Sequence, residues 1–169
     1  MAGGRQGSGV FPDAPHEPHV LRLPPERLDA LEAWAVGGTG LAAAARVRDP
    51  DGRLALIENA WTDGPFLPGG GVEPGERPRE AARREVREET GLDAEVGDPL
   101  VVLDQSYRTP ADEERFAAAF VVFAATAAGE IPPAPALGVT DDEIRAAGWY
   151  DGLPADFHER DLLAPYLCR

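Results

Sequence analysis

The chain has 169 residues, of which 43% are hydrophobic, with a single cysteine and a formal net charge of −14. This length and composition are typical of one globular domain with its own core. The negative charge argues against nucleic-acid and membrane partners. Because one cysteine cannot form a disulfide framework and the first residues lack the apolar segment of a secretory signal, we expect a cytoplasmic location.

The acidity has two interpretations that composition leaves open. All 16 basic residues are arginine. An acidic surface is typical of halophilic proteins, because high salt screens the repulsion between its charges. A GC-rich genome would also deplete lysine, but it would not by itself supply so many acids.

The N-terminal half is predicted to begin with a tail and a short helix. Residues 1–22 are rich in Gly, Pro and His and are expected to be a flexible tail, so the domain is expected over residues 23–169. Prolines open and glycines close the amphipathic segment 23–38, which indicates a helix. Two apolar stretches, 39–48 and 53–59, flank Asp-Pro-Asp-Gly and predict two strands joined by a turn.

A loop and a helix form the centre of the sequence. The Gly- and Pro-rich stretch 66–76 is predicted to be neither helix nor central strand. Residues 77–91 give the clearest helix, with Pro78 in the first turn and Gly91 after the last.

The C-terminal half alternates irregularly between strands and loops, which favours an α/β (α+β) fold with a mixed sheet packed between helices. The predicted elements are a strand near 99–107, a polar loop at 110–113, a long apolar strand at 115–127, a Pro/Gly loop at 129–142, a short strand near 147–150 and a terminal helix at 155–167.

Three glutamates on one helix face raise the question of what balances their charge. At roughly 100° per residue, Glu85, Glu88 and Glu89 fall within about a 100° arc, where like charges repel. One interpretation is a solvated helix with salt bridges at i,i+4 spacing, such as Arg84–Glu88. The other is a cluster of hard oxygen ligands for Mg²⁺ or Mn²⁺. The preceding glycines favour the second, because their backbone N–H groups can approach a phosphate closely.

The same residues resemble the Nudix hydrolase family, whose box reads G-x5-E-x7-R-E-U-x-E-E-x-G-U, with U a bulky aliphatic residue. Every specified position of this pattern matches: Gly70, Glu76, Arg84, Glu85, Val86, Glu88, Glu89, Gly91 and Leu92. We call residues Gly70–Leu92 the Nudix box. Weaker similarity extends over about residues 38–166.

The resemblance implies an α/β/α sandwich around a mixed sheet and hydrolysis of a nucleoside diphosphate linked to another group, X. It implies metal ligation by Glu85, Glu88 and Glu89, with Glu88 or Glu89 orienting the attacking water. It also implies structural roles for the remaining box residues Glu76, Arg84 and Gly91.

Substrate contacts are expected from the glycine loop and from nearby aromatic and basic residues. These candidates are Gly70, Gly71, Phe66 and Arg115. Trp61 and Tyr107 could also stack on a base, although such residues more often belong to a core. A fourth metal ligand is expected at Glu143, because the family often adds an acid from a distant loop and Glu143 stands just ahead of a predicted strand.

The group X is only weakly indicated. The small size and the segment "DDEI…WY" lean toward MutT-like hydrolysis of nucleoside triphosphates, with ADP-ribose, nucleotide sugars and dinucleoside polyphosphates as alternatives. A non-catalytic nucleotide sensor is disfavoured by the complete set of box acids. An isopentenyl diphosphate isomerase would need a further cysteine and a different metal site. The expected partner is a small-molecule nucleotide, and a homodimer is compatible with the resemblance.

Overall fold

The computed structural model of the protein describes residues 10–133, 136 and 144–169. Within these ranges the chain forms seven strands and three helices. In chain order they are β1 (His16–Arg22), α1 (Pro25–Ala35), β2 (Leu41–Arg48), β3 (Leu54–Glu58), β4 (Gly69–Gly71), α2 (Pro78–Thr90), β5 (Glu95–Arg108), β6 (Glu114–Thr126), β7 (Ala146–Tyr150) and α3 (Arg160–Leu167). None of the described helices has the length and apolar character that a membrane crossing requires.

The strands form one mixed sheet between two layers of helices, which confirms the expected fold class. The strand order is β1-β5-β6-β2-β3-β7, and β4 pairs with β2 outside this path. The pairs β1–β5 and β2–β6 are parallel, whereas β5–β6 and β3–β7 are antiparallel. Successive residues of a strand point to opposite faces. Thus Ala43 of β2 packs in a cluster with Ala81 of α2, whereas Ala44 packs in a cluster with Leu163 of α3.

The N-terminal segment is ordered earlier than the sequence suggested. Residues 16–22, which the composition predicts to be part of a flexible tail, form β1 and pair in parallel with β5, from His16 opposite Val102 to Arg22 opposite Arg108. The hydrogen-bonding partners of this strand lie far along the chain, so its local composition carries little sign of it. α1 follows directly and packs Leu28 into a cluster with Tyr107.

The glycine stretch also differs from expectation, because Gly69–Gly71 form the short strand β4 against β2. The cause is a close approach of two backbones. A Cβ atom at Gly69 would lie 2.5 Å from the Cβ of Ala44 and 2.6 Å from the carbonyl oxygen of Ala43. Glycine is therefore needed here for the proximity of β4 to β2, even though its intrinsic strand propensity is low.

α2 has the predicted bounds to within one residue. Pro78 opens it, and the N–H of Arg77 donates to Glu80 Oε2 at 3.3 Å. Gly91 ends it in the left-handed region at φ 77°, where its N–H donates to the carbonyl of Arg87 at 2.9 Å. Glycine adopts this conformation without the strain that a side chain would add.

Two other C-terminal expectations have different outcomes. The helix expected from residue 155 begins only at Arg160, because Glu159 before it lies in the left-handed region at φ 57°. The strand expected near 147–150 is confirmed as β7. Of the predicted loop at 129–142, residues 129–133 and 136 are described, and none of them belongs to a strand or an α-helix.

Candidate active site

The loop that contains β4 lies directly against the acidic face of α2. The backbone N–H of Gly69 donates to Glu89 Oε1 at 2.7 Å. A Cβ atom at Gly70 would lie 2.5 Å from Glu85 Oε1 and 2.7 Å from its carboxyl carbon. The loop therefore fixes one carboxylate by a hydrogen bond and covers a second so closely that a side chain at position 70 would displace it.

The three box glutamates differ in their access to solvent. Glu89 is 8% exposed, and the side chain of Glu85 is 15% exposed. The side chain of Glu88 is 50% exposed. Glu85 and Glu89 are thus held between helix and loop, whereas Glu88 faces the solvent from which water or substrate would arrive.

Arg84 connects the loop, the start of the box and the acidic face. Its guanidinium donates to both carboxylate oxygens of Glu76, from Nε to Oε2 at 2.8 Å and from Nη2 to Oε1 at 3.0 Å. Nη2 also donates to the carbonyl of Gly71 at 3.2 Å. Nη1 lies 2.9 Å from Glu85 Oε1 and 3.4 Å from Glu88 Oε2.

These contacts set the charge states of the group. The hydrogen bonds from Arg84 lower the pKa of Glu76, and the same bonds raise the pKa of the guanidinium above its ordinary value. Burial raises the pKa of Glu85, and the nearby Arg84 opposes that rise. Glu85 is thus a carboxylate whose negative charge is only partly compensated, which is the environment in which a cation stabilises it further.

The donor chemistry of this face fits a divalent ion. Carboxylate oxygens are the ligands that Mg²⁺ and Mn²⁺ prefer, and those of Glu85 and Glu88 converge on one nitrogen of Arg84. Among residues 10–133, 136 and 144–169, no group of three or more His, Cys, Asp or Glu side chains stands in a ready-made arrangement for a metal.

A cavity of about 710 Å³ lies beside the glycines of the box, on the sheet face that carries α1 and α3. Gly70 and Gly71 form part of its wall. Five Phe, Trp and Tyr side chains also line it. They are Trp34, Trp61, Phe66, Tyr107 and Phe120. A cavity of this size with aromatic walls suits a small organic ligand.

A chain of polar side-chain contacts runs along the cavity wall. The hydroxyl of Tyr107 donates to Gln105 Oε1 at 3.2 Å. Gln105 Nε2 lies 3.4 Å from His19 Nδ1, and His19 Nε2 lies 3.4 Å from Glu159 Oε1. If the His19 proton is on Nε2, Nδ1 accepts the hydrogen bond from Gln105 Nε2. Burial raises the pKa of Tyr107 to about 12, so its hydroxyl remains a donor at neutral pH.

The residues expected to contact substrate fall into two groups. Gly70, Gly71 and Phe66 line the cavity together, and Phe66 is half-buried against Phe157 with ring centroids 5.5 Å apart. Arg115 does not line this cavity, because its guanidinium is bound to α1, 2.9 Å from Asp29 Oδ1. The expected fourth acid, Glu143, lies outside the described residues.

Several wall residues were not anticipated from the sequence. The cavity is lined by His19 of β1, by Gln105 of β5 and by three residues of α1, which are Arg27, Leu31 and Trp34. The signal for the α1 residues was present, because i, i+4 and i+7 spacing places side chains on one helix face. The long-range position of β1 beside β5 was needed to bring His19 to Gln105.

The chain matches one known protein family. The NUDIX domain family model matches residues 38–159. No curated protein matches the chain.

Solved structures with a similar fold carry several different names. A UDP-X diphosphatase is 22% identical with a TM-score of 0.55, over 85% of this chain and 68% of that one. A MutT NUDIX hydrolase from Burkholderia pseudomallei is 27% identical with a TM-score of 0.53, over 73% and 93% of the two chains. An ADP-ribose pyrophosphatase from Streptococcus suis is 23% identical with a TM-score of 0.52, over 76% and 86%.

Proposed function

The chain belongs to the NUDIX domain family, and we propose that it hydrolyses a phosphorus-containing acid anhydride, as a divalent-metal-dependent pyrophosphohydrolase acting on a nucleoside diphosphate linked to X. Nudix hydrolases generally use divalent metals, and for this chain we propose Mg²⁺ or Mn²⁺. Water attacks one phosphorus of the pyrophosphate, and the bond from that phosphorus to the bridging oxygen breaks.

One observation carries this proposal: the glycine loop lies on the carboxylates of α2 at the edge of a cavity large enough for a nucleotide. The Gly69–Glu89 hydrogen bond and the close approach of Gly70 to Glu85 fix that juxtaposition. The pyrophosphate would lie against Gly70 and Gly71, where backbone groups and the box carboxylates come together.

The box residues would have different roles, according to their exposure and their contacts. Glu85, Glu88 and Glu89 would hold the metal, which when bound offsets phosphate charge and makes a bound water more acidic. Glu88, the most exposed of the three, is the best placed to orient the attacking water, with Glu89 as the alternative. Arg84 and Glu76 would position these carboxylates without touching substrate.

A fourth acid and the acidic surface complete the proposal. Glu143 is proposed as a further metal ligand on the basis of its sequence position alone. The substrate is proposed to be a small nucleotide, since a net charge of −14 repels a polyanion such as RNA or DNA.

For X we favour nucleoside triphosphates, as in MutT-like members. The support is the 27% identity to a protein named a MutT NUDIX hydrolase. ADP-ribose, nucleotide sugars and dinucleoside polyphosphates are the alternatives. The test is a screen of these substrates for phosphate-containing products with Mg²⁺ and with Mn²⁺. Turnover of one of the alternative classes but not of nucleoside triphosphates would overturn the preference for triphosphates. No turnover with any anhydride would overturn the proposed activity.

A further inference from the structure

One face of α1 lines the cavity, although α1 precedes the matched NUDIX domain. Arg27, Leu31 and Trp34 share this face and all contribute to the wall. The family match begins at residue 38, whereas α1 ends at Ala35. The residues that bound one side of the cavity therefore belong to a segment that the family pattern does not specify.

The two ends of this face contact different parts of the cavity. Trp34 lies on the box, since a Cβ atom at Gly71 would lie 3.2 Å from Trp34 Nε1. Arg27 lies nearly two helical turns away, about 10 Å along the helix. There its guanidinium carbon is 5.7 Å from the centre of the Trp61 ring. α1 thus spans the distance from the box glycines to Trp61.

Trp61 is presented to solvent on an ordered turn. The residue is 63% exposed, which is unusual for one with so large an apolar side chain. The side-chain oxygen of Asn59 accepts hydrogen bonds from the N–H groups of Trp61 and Thr62, at 2.9 and 3.0 Å. This turn holds the indole at the cavity rim, where the guanidinium of Arg27 lies over the ring and most of the residue stays exposed.

Arg27 has no carboxylate partner in the described part of the chain. Arg22 in the same cavity wall differs, because its Nη2 lies 2.8 Å from Asp112 Oδ1. A guanidinium over an aromatic ring is attracted by the ring quadrupole and restrains the ring's orientation. Arg27 therefore covers one face of the indole and leaves the other for a planar ligand.

We propose that Trp61, held by Arg27, stacks on the nucleobase of the substrate, so that α1 sets the distance between the base and the pyrophosphate at Gly70 and Gly71. This inference rests on the proposed function of the box. A planar base suits an indole face because every nucleobase offers a π surface, so the contact gives affinity for nucleotides without strong selection among bases. Arg27 acts as a positioning residue for Trp61.

Trp61→Ala and Trp61→Phe test the stacking contact. With the best nucleotide from the screen, Trp61→Ala should raise KM about 10-fold and leave kcat within about twofold, because the lost contact lies away from the reacting phosphorus. Trp61→Phe should recover most of the loss. Val36→Ala is the matched control, since Val36 is 66% exposed and does not line the cavity, and it should leave both constants unchanged.

Calorimetry separates this inference from the catalytic proposal, since it needs no turnover. A nucleoside monophosphate should bind about 10-fold more weakly to Trp61→Ala than to wild type. Pyrophosphate, which has no base, should bind both proteins equally. An equal loss of affinity for the nucleoside monophosphate and for pyrophosphate would indicate a general structural defect and would overturn the stacking role. Unchanged binding of the nucleoside monophosphate, or no binding of it to wild type, would also overturn it.

Arg27→Gln tests the positioning role. Removing the cation should raise KM about threefold, a smaller change than Trp61→Ala produces. In the Trp61→Ala background the same substitution should have no further effect, because the ring that it positions is gone. Additive effects of the two substitutions would show that Arg27 acts on the substrate independently of Trp61 and would contradict the positioning role.

Discussion

Arg84 and Glu76 are joined by two parallel hydrogen bonds, from Nε to Oε2 at 2.8 Å and from Nη2 to Oε1 at 3.0 Å. This geometry uses the planar fork of arginine, which matches the two oxygens of a carboxylate. The same guanidinium also contacts Glu85 and the carbonyl of Gly71. One side chain thus ties the glycine loop to the acidic face of α2.

Arg84→Lys should weaken this connection although it keeps the charge. Lysine has no fork, so at least one of the two bonds to Glu76 is lost, and the free energy of unfolding should fall by about 1–3 kcal/mol. Chemical denaturation measures the change. Arg87→Lys on the same helix is the control, because Arg87 is exposed and makes no side-chain hydrogen bond in the described residues. Equal effects of the two substitutions would contradict the proposed role of Arg84.

Gly70→Ala should reduce activity by displacing Glu85. The added methyl would lie 2.5 Å from Glu85 Oε1, so the carboxylate or the loop must move. Misplacement of a catalytic group by about 1 Å can cost on the order of 100-fold in rate. Gly152→Ala is the control, since a Cβ atom there meets nothing within 4 Å. Unchanged kcat in Gly70→Ala would show that the position of Glu85 is not critical.

The sequence predicts the box helix well because its determinants are local. Pro78, Gly91 and the apolar positions between them lie within one short segment and specify start, end and buried face together. The acidic cluster can also be predicted from the sequence, because helical spacing alone puts Glu85, Glu88 and Glu89 on one face.

The features that the sequence did not reveal depend on distant partners. β1 exists because β5 supplies hydrogen bonds from residues 102–108. β4 exists because glycines allow contact with β2, which propensity alone opposes. Arg115 Nη2 lies 2.9 Å from Asp29 Oδ1 of α1, a contact between distant parts of the chain that the local sequence does not indicate. In each case a long-range contact outweighs the local pattern.

Salt should stabilise the protein if the acidic surface is an adaptation. The Debye length falls from about 30 Å at 0.01 M to about 3 Å at 1 M salt, so repulsion among the acids of a chain with charge −14 is strongly screened. The melting temperature should therefore rise between about 10 mM and about 1 M KCl. A flat or falling curve would favour the genomic explanation of the composition.

Glu143→Gln should weaken the Mg²⁺ dependence of turnover and lower the maximal rate, if this acid contributes to the metal site. Asp141→Asn removes a charge two residues away and serves as the control, for which neither change is expected. Titration of Mg²⁺ at saturating substrate measures both quantities. Identical behaviour of the two variants would remove Glu143 from the metal site.

The most direct test of the catalytic account is hydrolysis of nucleoside triphosphates by wild type and Glu88→Gln, each with Mg²⁺, with Mn²⁺ and with chelator. Glu88 is half exposed and its contact with Arg84 is 3.4 Å, so its loss should barely change the melting temperature. Glu80→Gln on the same helix is the control and should remain active. Wild type should turn over only with a divalent ion, and Glu88→Gln should be slower by at least on the order of 100-fold. Equal turnover by Glu88→Gln and wild type, or undiminished turnover in chelator, would contradict the account.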